Sequence, residues 1–469
     1  MGRKRNKNLV LENLQIIDAA SEGKSIAKYN DKVVFIPFGM PGDIVDVQTT
    51  RNKRNYYEAK ILKFHSKSEN RVEPKCEHFG VCGGCKWQHM PYEMQLKFKA
   101  QQVKDNLQRI GGFLNLEVQE ILANEKEYFY RNKLEFTFCN KKWIENYSKE
   151  LDFDDLNMNA LGFHIPGKFD RVLDIDNCYL QKSPSNEIRN FIKKYADENN
   201  LSFFDLRQQH GFLRNLVIRT STTGDLMLIF VFYEDLKEER ENLLNAIKDK
   251  FPEITSLMYI INQKKNDSYT DQDVILYSGN DHIMEQMGEI KFKIGPKSFY
   301  QTNSNQAFNL YKKVLEFADI KVDEVVYDLY TGTGTIANFV ASKAKKVVGV
   351  EYVPEAIEDA KINSEINGIN NTSFFAGDMI AVLDDEFISK NSRPNVIITD
   401  PPRAGMHPKV VDKLNEIGAE KIVYVSCNPA TQARDLKVLS EKYNIERVQP
   451  VDMFPQTHHV ENIVLLRRK

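Results

Sequence analysis

The sequence predicts a multidomain chain, with a small β-barrel over residues 1–66, a central α+β region over 67–295 and a doubly wound α/β domain over 296–469. Three observations predict this. Short β-branched runs alternate with turn signals at the N-terminus, apolar strands alternate with helical patterns in the last third, and between them Cys76, Cys82 and Cys85 crowd into ten residues.

A length of 469 residues leaves room for about two to four domains, and 42% hydrophobic with 28% charged residues is ordinary globular composition. Six cysteines are too few for a disulfide-stapled secreted scaffold. No N-terminal apolar stretch reads as a signal peptide or a membrane span, so the expected location is cytoplasmic. A net charge of −2 decides nothing, but the charge is uneven. Arg3, Lys4, Arg5 and Lys7 stand without an acid among the first eight residues, and residues 51–75 hold eight basic residues against three glutamates. Both stretches suit phosphate tracking, with a frayed tail and a solvated face as the alternative.

In the N-terminal region Val33-Val34-Phe35-Ile36, the turn Gly39-Met40-Pro41-Gly42-Asp43 and Ile44-Val45-Asp46-Val47 read as parts of a small antiparallel barrel. Its basic exit and Tyr56-Tyr57 suit contact with RNA, a packed aromatic pair being the plainer reading. From Tyr92, the spacing of Leu96, Val103, Leu107 and Ile110 describes one amphipathic helix capped by Gly111-Gly112. That helix is expected to lie against whatever Cys76 to Cys85 builds. Strand-like runs at 133–138 and 216–219 and helical stretches at 184–198 and 235–250 make the central region α+β. Farther on, apolar strands at 325–329, 346–350, 396–399 and 421–425, separated by helical patterns, predict a parallel sheet.

The first of those strands runs into Thr331-Gly332-Thr333-Gly334-Thr335, and the second ends at Glu351. Glycines there let a ligand approach the backbone, and an acid closing the second strand accepts both hydroxyls of a ribose. The third glycine of a dinucleotide fingerprint is missing, which favours S-adenosylmethionine over NAD. Asp378, after a strand-like run, is placed to meet an adenine amine. Asp400-Pro401-Pro402-Arg403 and Ser426-Cys427-Asn428-Pro429 each follow a strand, setting a carboxylate and a thiol beside proline-stiffened turns at the same edge. Together they suggest covalent chemistry on a base. The plainer readings are a turn cap for Asp400 and a small core residue for Cys427.

Cys76, Cys82 and Cys85, with Gly83-Gly84 allowing tight wrapping, read as a metal site. A fourth ligand is needed. Cys139 sits in mid-strand and reads as core; Cys178 is the other candidate, and His78 or His89 would complete a zinc site instead. Spacing alone does not separate zinc from iron and sulfur.

As a set, five ordered motifs resemble the RNA uracil-5-methyltransferase family. They are Phe299-Tyr300-Gln301-Thr302-Asn303, residues 328–335, Asp400 to Gly405, Ser426 to Thr431 and Phe454 to Glu461. The resemblance spans nearly the whole chain. Two departures are Thr331, where cysteine is common, and His458, where glycine is frequent. It implies an N-terminal barrel of the TRAM or OB-like type, a central domain with an iron-sulfur cluster, and a Rossmann-like class I methyltransferase domain.

By the resemblance, Cys427 is the nucleophile that adds to uracil C6, and Glu461 is the base that removes the C5 proton. Gln301, Tyr330, Thr335, Glu351, Asp378 and Asp400 match positions that hold S-adenosylmethionine. Cys178 matches the fourth cysteine of a [4Fe-4S] cluster with Cys76, Cys82 and Cys85. The cluster is implied to be structural or RNA-positioning, since uracil methylation needs no electron transfer. The cluster-bearing branch commonly acts on large-subunit ribosomal RNA, so the expected partner is 23S ribosomal RNA, with an unstacked target base and a monomeric enzyme. Three alternatives stay open: the same chemistry on transfer RNA, methylation of an exocyclic amine at the Asp-Pro-Pro turn, and a non-catalytic RNA-binding protein.

Overall fold

The computed structural model describes residues 8–145 and 156–469, so the basic tail at Arg3, Lys4, Arg5 and Lys7 lies outside the described residues. Strands β1 (Val10–Ala19), β2 (Lys24–Tyr29), β3 (Lys32–Pro37), β4 (Ile44–Asn52) and β5 (Tyr56–Ser66) close into a barrel in the order β1-β2-β3-β5-β4. Alternate side chains, among them Ile16, Ala27, Val34, Ile36, Val45 and Val47, fill its interior. The barrel is not wholly antiparallel, as the alternating runs suggested, because β3 pairs with β5 in parallel. An odd number of strands cannot alternate direction all the way round a closed ring, so one like-directed pair must occur.

Helix α1 (Tyr92–Asn106) runs on through a wider turn to Gly111, and Gly112 closes it at φ 82°. Its buried face differs from the expected apolar one. Gln95, Lys99, Val103 and Leu107 are buried, whereas Leu96 is half-buried and Ile110 exposed.

The central region builds one sheet from β6 (Lys133–Cys139), β7 (Ala160–Ile165), β8 (Lys168–Asp174), β9 (Leu213–Thr220), β10 (Leu226–Phe232), β11 (Ser256–Ile261) and β12 (Ile275–Gly279), in the order β12-β11-β10-β9-β6-β7-β8. Helices α2 (Ser185–Glu198) and α3 (Lys237–Lys250) cover one face with Ile188, Ile192, Leu243 and Ile247. From the other face Val217, Met227, Ile229, Met258 and Ile260 join the same core as the C-terminal domain. Strand β10, buried along its whole length between the two layers, is accordingly a continuous apolar run. A hairpin of β13 (Ile283–Met287) and β14 (Ile290–Ile294) and helix α4 (Ser304–Ala318) lead on.

The last sheet holds β15 (Val325–Leu329), β16 (Lys346–Glu351), β17 (Thr372–Ala376), β18 (Val396–Thr399), β19 (Lys421–Ser426), β20 (Tyr443–Val451) and β21 (Glu461–Arg468), ordered β17-β16-β15-β18-β19-β21-β20. The first five listed are parallel, with crossovers α5 (Thr335–Val340), α6 (Pro354–Ile366), α7 (Met379–Val382), α8 (Asp385–Asn391) and α9 (Pro408–Ile417), while α10 (Pro429–Leu439) leads into β20. Strand β21 then enters antiparallel to both β19 and β20. Its first residues therefore lie beside the carboxyl end of β19.

Candidate active site

The glycine loop after β15 is tied down from within. Asp328, fully buried, accepts from the Thr331 hydroxyl at 2.5 Å and from the Ala337 N–H at 2.9 Å, and burial pushes its carboxyl up to about 7. Tyr330, Gly332 and Gly334 all adopt left-handed backbone, at φ 64°, 55° and 73°. A Cβ at Gly332 would enter open space, whereas one at Gly334 would stand 2.9 Å from the Ala360 side chain. The first glycine thus leaves a cradle on the ligand side, and the second lets α5 pack on α6. Glu351 ends β16 and accepts from the N–H groups of Gly332, Tyr352 and Val353 at 3.1, 2.8 and 3.1 Å, which fixes its carboxylate beside the loop.

The other expected cofactor residues gather along this edge. Thr335 opens α5 with its hydroxyl 3.3 Å from that of Tyr311. Gln301, half-buried before α4, is held through its carbonyl by the Asn132 amide at 2.9 Å. Burial, with the charges of Asp435, Asp378 and Glu351, pushes the half-buried Tyr330 up to about 12. Asp378 is exposed after β17, and one carboxylate oxygen already caps α7 through the Ile380 N–H at 2.8 Å.

Asp400, Cys427 and Glu461 meet at the same edge. Asp400 follows β18, Cys427 follows β19, and Glu461 begins β21, where the Ser426–Asn462 pairing sets the thiol and the carboxylate next to each other. The three sense one another electrically. Burial and Asp328 push Asp400 up to about 7; burial and Asp400 push Glu461 up to about 8; burial, Glu461 and Asp400 push the Cys427 thiol up to about 11. Arg403 opposes the last two shifts by its charge. Its carbonyl accepts from the Asn428 amide at 3.0 Å and the Thr431 hydroxyl at 3.2 Å, stapling the two proline turns together. Neither the role of Arg403 nor that of Asp328 was read from the motifs, although both residues stand within them. Beyond the pair, the His458 and His459 rings lie 4.2 Å apart, tilted by 37°, and burial pushes them down to about 4 and about 3.

The cysteines form a second centre. Cys76, Cys82, Cys85 and Cys178 line one cavity of about 420 Å³ together with His78, all as free thiols. Burial pushes Cys82 up to about 11 and Cys85 up to about 12, each raised further by the neighbouring thiols. The Gln88 carboxamide holds the Cys76 N–H at 3.0 Å, and Asn186 holds that of Cys178 at 2.9 Å. Among the described residues no three His, Cys, Asp or Glu side chains close on a point for a single metal ion. Cys139 is not part of this wall, packing instead with Ala160 and Val172. His89 turns away too, 3.2 Å from the Gly39 carbonyl.

A glycine cradle, an acid ending the second strand and a parallel sheet with an antiparallel last hairpin define a class I S-adenosylmethionine-dependent methyltransferase. A family model for tRNA (uracil-5-)-methyltransferase matches residues 205–469, and one for the TRAM domain matches 13–62. An uncharacterized RNA methyltransferase of Bacteroides thetaiotaomicron is 58% identical over 95% of this chain and 99% of its own, and one of Chlorobaculum tepidum is 38% identical over 97% and 96%. The solved structure of the Pyrococcus abyssi tRNA (uracil-54, C5)-methyltransferase with S-adenosyl-L-homocysteine superposes with a TM-score of 0.75 at 29% identity, covering 97% of this chain and all of that one. The chain belongs to the RNA uracil-5-methyltransferase family.

Proposed function

We propose that the protein methylates C5 of a uridine in 23S ribosomal RNA through a covalent bond between Cys427 and C6 of the base. The observation that carries this reading is the meeting of Asp400, Cys427 and Glu461, faced by Arg403, at the cofactor edge of the sheet.

Uracil C5 is a weak nucleophile. Addition of the Cys427 sulfur to C6 breaks the C5–C6 π bond and turns C5 into an enolate carbon. S-adenosylmethionine, when bound, supplies an activated methyl group on a positively charged sulfonium. Glu351 takes the ribose hydroxyls, Asp378 the adenine, and Gln301, Tyr330, Thr335 and Asp400 the remainder of the cofactor. Asp400 also faces the base. Once C5 carries the methyl group, Glu461 removes the remaining C5 proton, the electron pair re-forms the double bond, and Cys427 leaves as thiolate. A carboxyl held at about 8 is a strong base for its class, matched to neutral pH. Arg403 is the cation that favours the Cys427 thiolate.

Four free thiols around one cavity suit a [4Fe-4S] cluster held by Cys76, Cys82, Cys85 and Cys178. Bound there as thiolates, Cys76, Cys82 and Cys85 would tie the loop that carries them to Cys178. The enzyme on this reading acts as a cytoplasmic monomer; no described helix is long and apolar enough to cross a membrane.

Transfer RNA is the second reading, favoured by the substrate of the Pyrococcus abyssi neighbour. Incubation with S-adenosylmethionine and either RNA, followed by digestion to nucleosides and mass spectrometry, separates the two. 5-Methyluridine in the ribosomal RNA supports the proposal, 5-methyluridine in transfer RNA alone moves the substrate, and an N-methylated base without 5-methyluridine overturns the chemistry.

A further inference from the structure

Helix α1 turns three polar side chains inward. Tyr92, Gln95 and Lys99 share one helical face, and Gln95 and Lys99 are completely buried. All three reach the loop of residues 452–460 that joins β20 to β21 and ends at Glu461. The Tyr92 hydroxyl donates to Asp452 at 2.8 Å, and the Lys99 ammonium donates to Asp452 at 2.6 Å and to the Phe454 carbonyl at 3.0 Å.

Gln456 stands at the centre of this loop with φ 66°, a left-handed conformation that side-chain-bearing residues seldom adopt unaided. Its backbone is held on both sides. The Gln456 N–H donates to Gln95 Oε1 at 2.9 Å, and its carbonyl accepts from the N–H groups of Lys86 and Trp87 at 2.8 and 3.1 Å. Gln95 Nε2 donates to Gln456 Oε1 at 3.0 Å, to the Met90 carbonyl at 2.9 Å and to the Trp87 carbonyl at 3.2 Å, while Gln456 Nε2 donates to Glu127 at 3.0 Å. Lys86 follows Cys85 directly, so the pin on this loop is the residue next to a thiol of the second centre.

We propose that Gln95 is a positioning residue: through Gln456 it joins the cysteine loop to the 452–460 loop and thereby sets the approach of Glu461 to the reacting base. The proposal rests on the role given above to Glu461. Segments distant in sequence but sharing one fully satisfied buried polar network move as a unit, and such networks fix a single arrangement more strictly than apolar packing does. The thiol centre therefore acts on catalysis mechanically, by ordering the loop whose N–H groups hold Gln456.

The test uses the full-length, anaerobically purified protein and two variants. Gln95→Met keeps the volume and deletes the amide; Gln456→Gly keeps the backbone bonds to Lys86 and Trp87, suits the left-handed φ and deletes the side chain. Hydrogen exchange followed by mass spectrometry is expected to show faster exchange confined to peptides covering 452–461 and the segment 86–90 bonded to them, with S-adenosylhomocysteine affinity unchanged. Turnover is expected to fall about 10- to 100-fold in kcat, with KM for RNA and for S-adenosylmethionine retained. Wild-type exchange at 452–461 in both variants overturns the proposal, as does a loss spread over the whole molecule with weakened cofactor binding. Should the uridine reading itself fail, the exchange measurement still reports on the loop, because it requires no turnover.

Discussion

Replacing Lys99 by methionine keeps most of the side-chain length and deletes the ammonium from a site where both it and Asp452 are wholly shielded from water, 2.6 Å apart. Breaking a buried pair from one side leaves an uncompensated charge and costs about 3–5 kcal/mol. Asp452 keeps two donors, the Tyr92 hydroxyl at 2.8 Å and the Phe454 N–H at 3.1 Å. Those bonds hold the loss near the lower end, at about 3 kcal/mol. Adding Asp452→Asn removes the stranded charge, so the double variant is expected to recover about half of that loss, a coupling that a double-mutant cycle reads directly. Urea unfolding followed by tryptophan fluorescence is a suitable assay, since Trp87 is buried with its ring 5.9 Å from the Lys99 ammonium and reports on this junction. A loss below about 1 kcal/mol for Lys99→Met, or a double variant no more stable than the single one, would refute the reasoning that Asp452 is held as a buried carboxylate.

Other consequences are equally direct. On the proposed mechanism Glu461 must be ionised to take the C5 proton after methyl transfer, and its carboxyl is held at about 8, so kcat, where elimination limits it, is expected to rise with pH through that value. Glu461→Gln is expected to stop turnover after methyl transfer and to accumulate a protein–RNA adduct on ordinary uridine, visible on a denaturing gel. Gly334→Ala introduces a Cβ at φ 73° and 2.9 Å from the Ala360 side chain, so calorimetry is expected to show S-adenosylhomocysteine binding weakened about tenfold or more. Cys178→Ser is expected to lose bound iron and visible absorbance, whereas Cys139→Ser keeps both, because only Cys178 faces the cavity with Cys76, Cys82 and Cys85.

Much of the architecture was legible because the relevant signals are local. Alternating side chains marked the barrel strands, and glycines after an apolar run marked the cofactor loop. The parallel β3–β5 pair was not legible, since strand direction depends on how the ring closes rather than on any one strand. The buried face of α1 was misread for a different reason. Gln95 and Lys99 look solvent-facing in a hydrophobic pattern, and their partners at 452–456 lie at the other end of the chain. Cys427 and Glu461 were paired only through the resemblance, because nothing periodic announces that β21 inserts antiparallel beside β19. Glu351 was legible from its place at the end of a strand, yet the three backbone bonds that aim it were not.

The central claim is that Cys427 bonds to C6 of a uridine. It is tested most directly by incubating the protein and S-adenosylmethionine with 23S fragments and transfer RNA carrying 5-fluorouridine, then resolving adducts on denaturing gels. Fluorine cannot leave as a proton, so the covalent species stays trapped. The account predicts a stable adduct on the ribosomal RNA that disappears in Cys427→Ala. No adduct on either RNA, with S-adenosylhomocysteine binding intact, would contradict it.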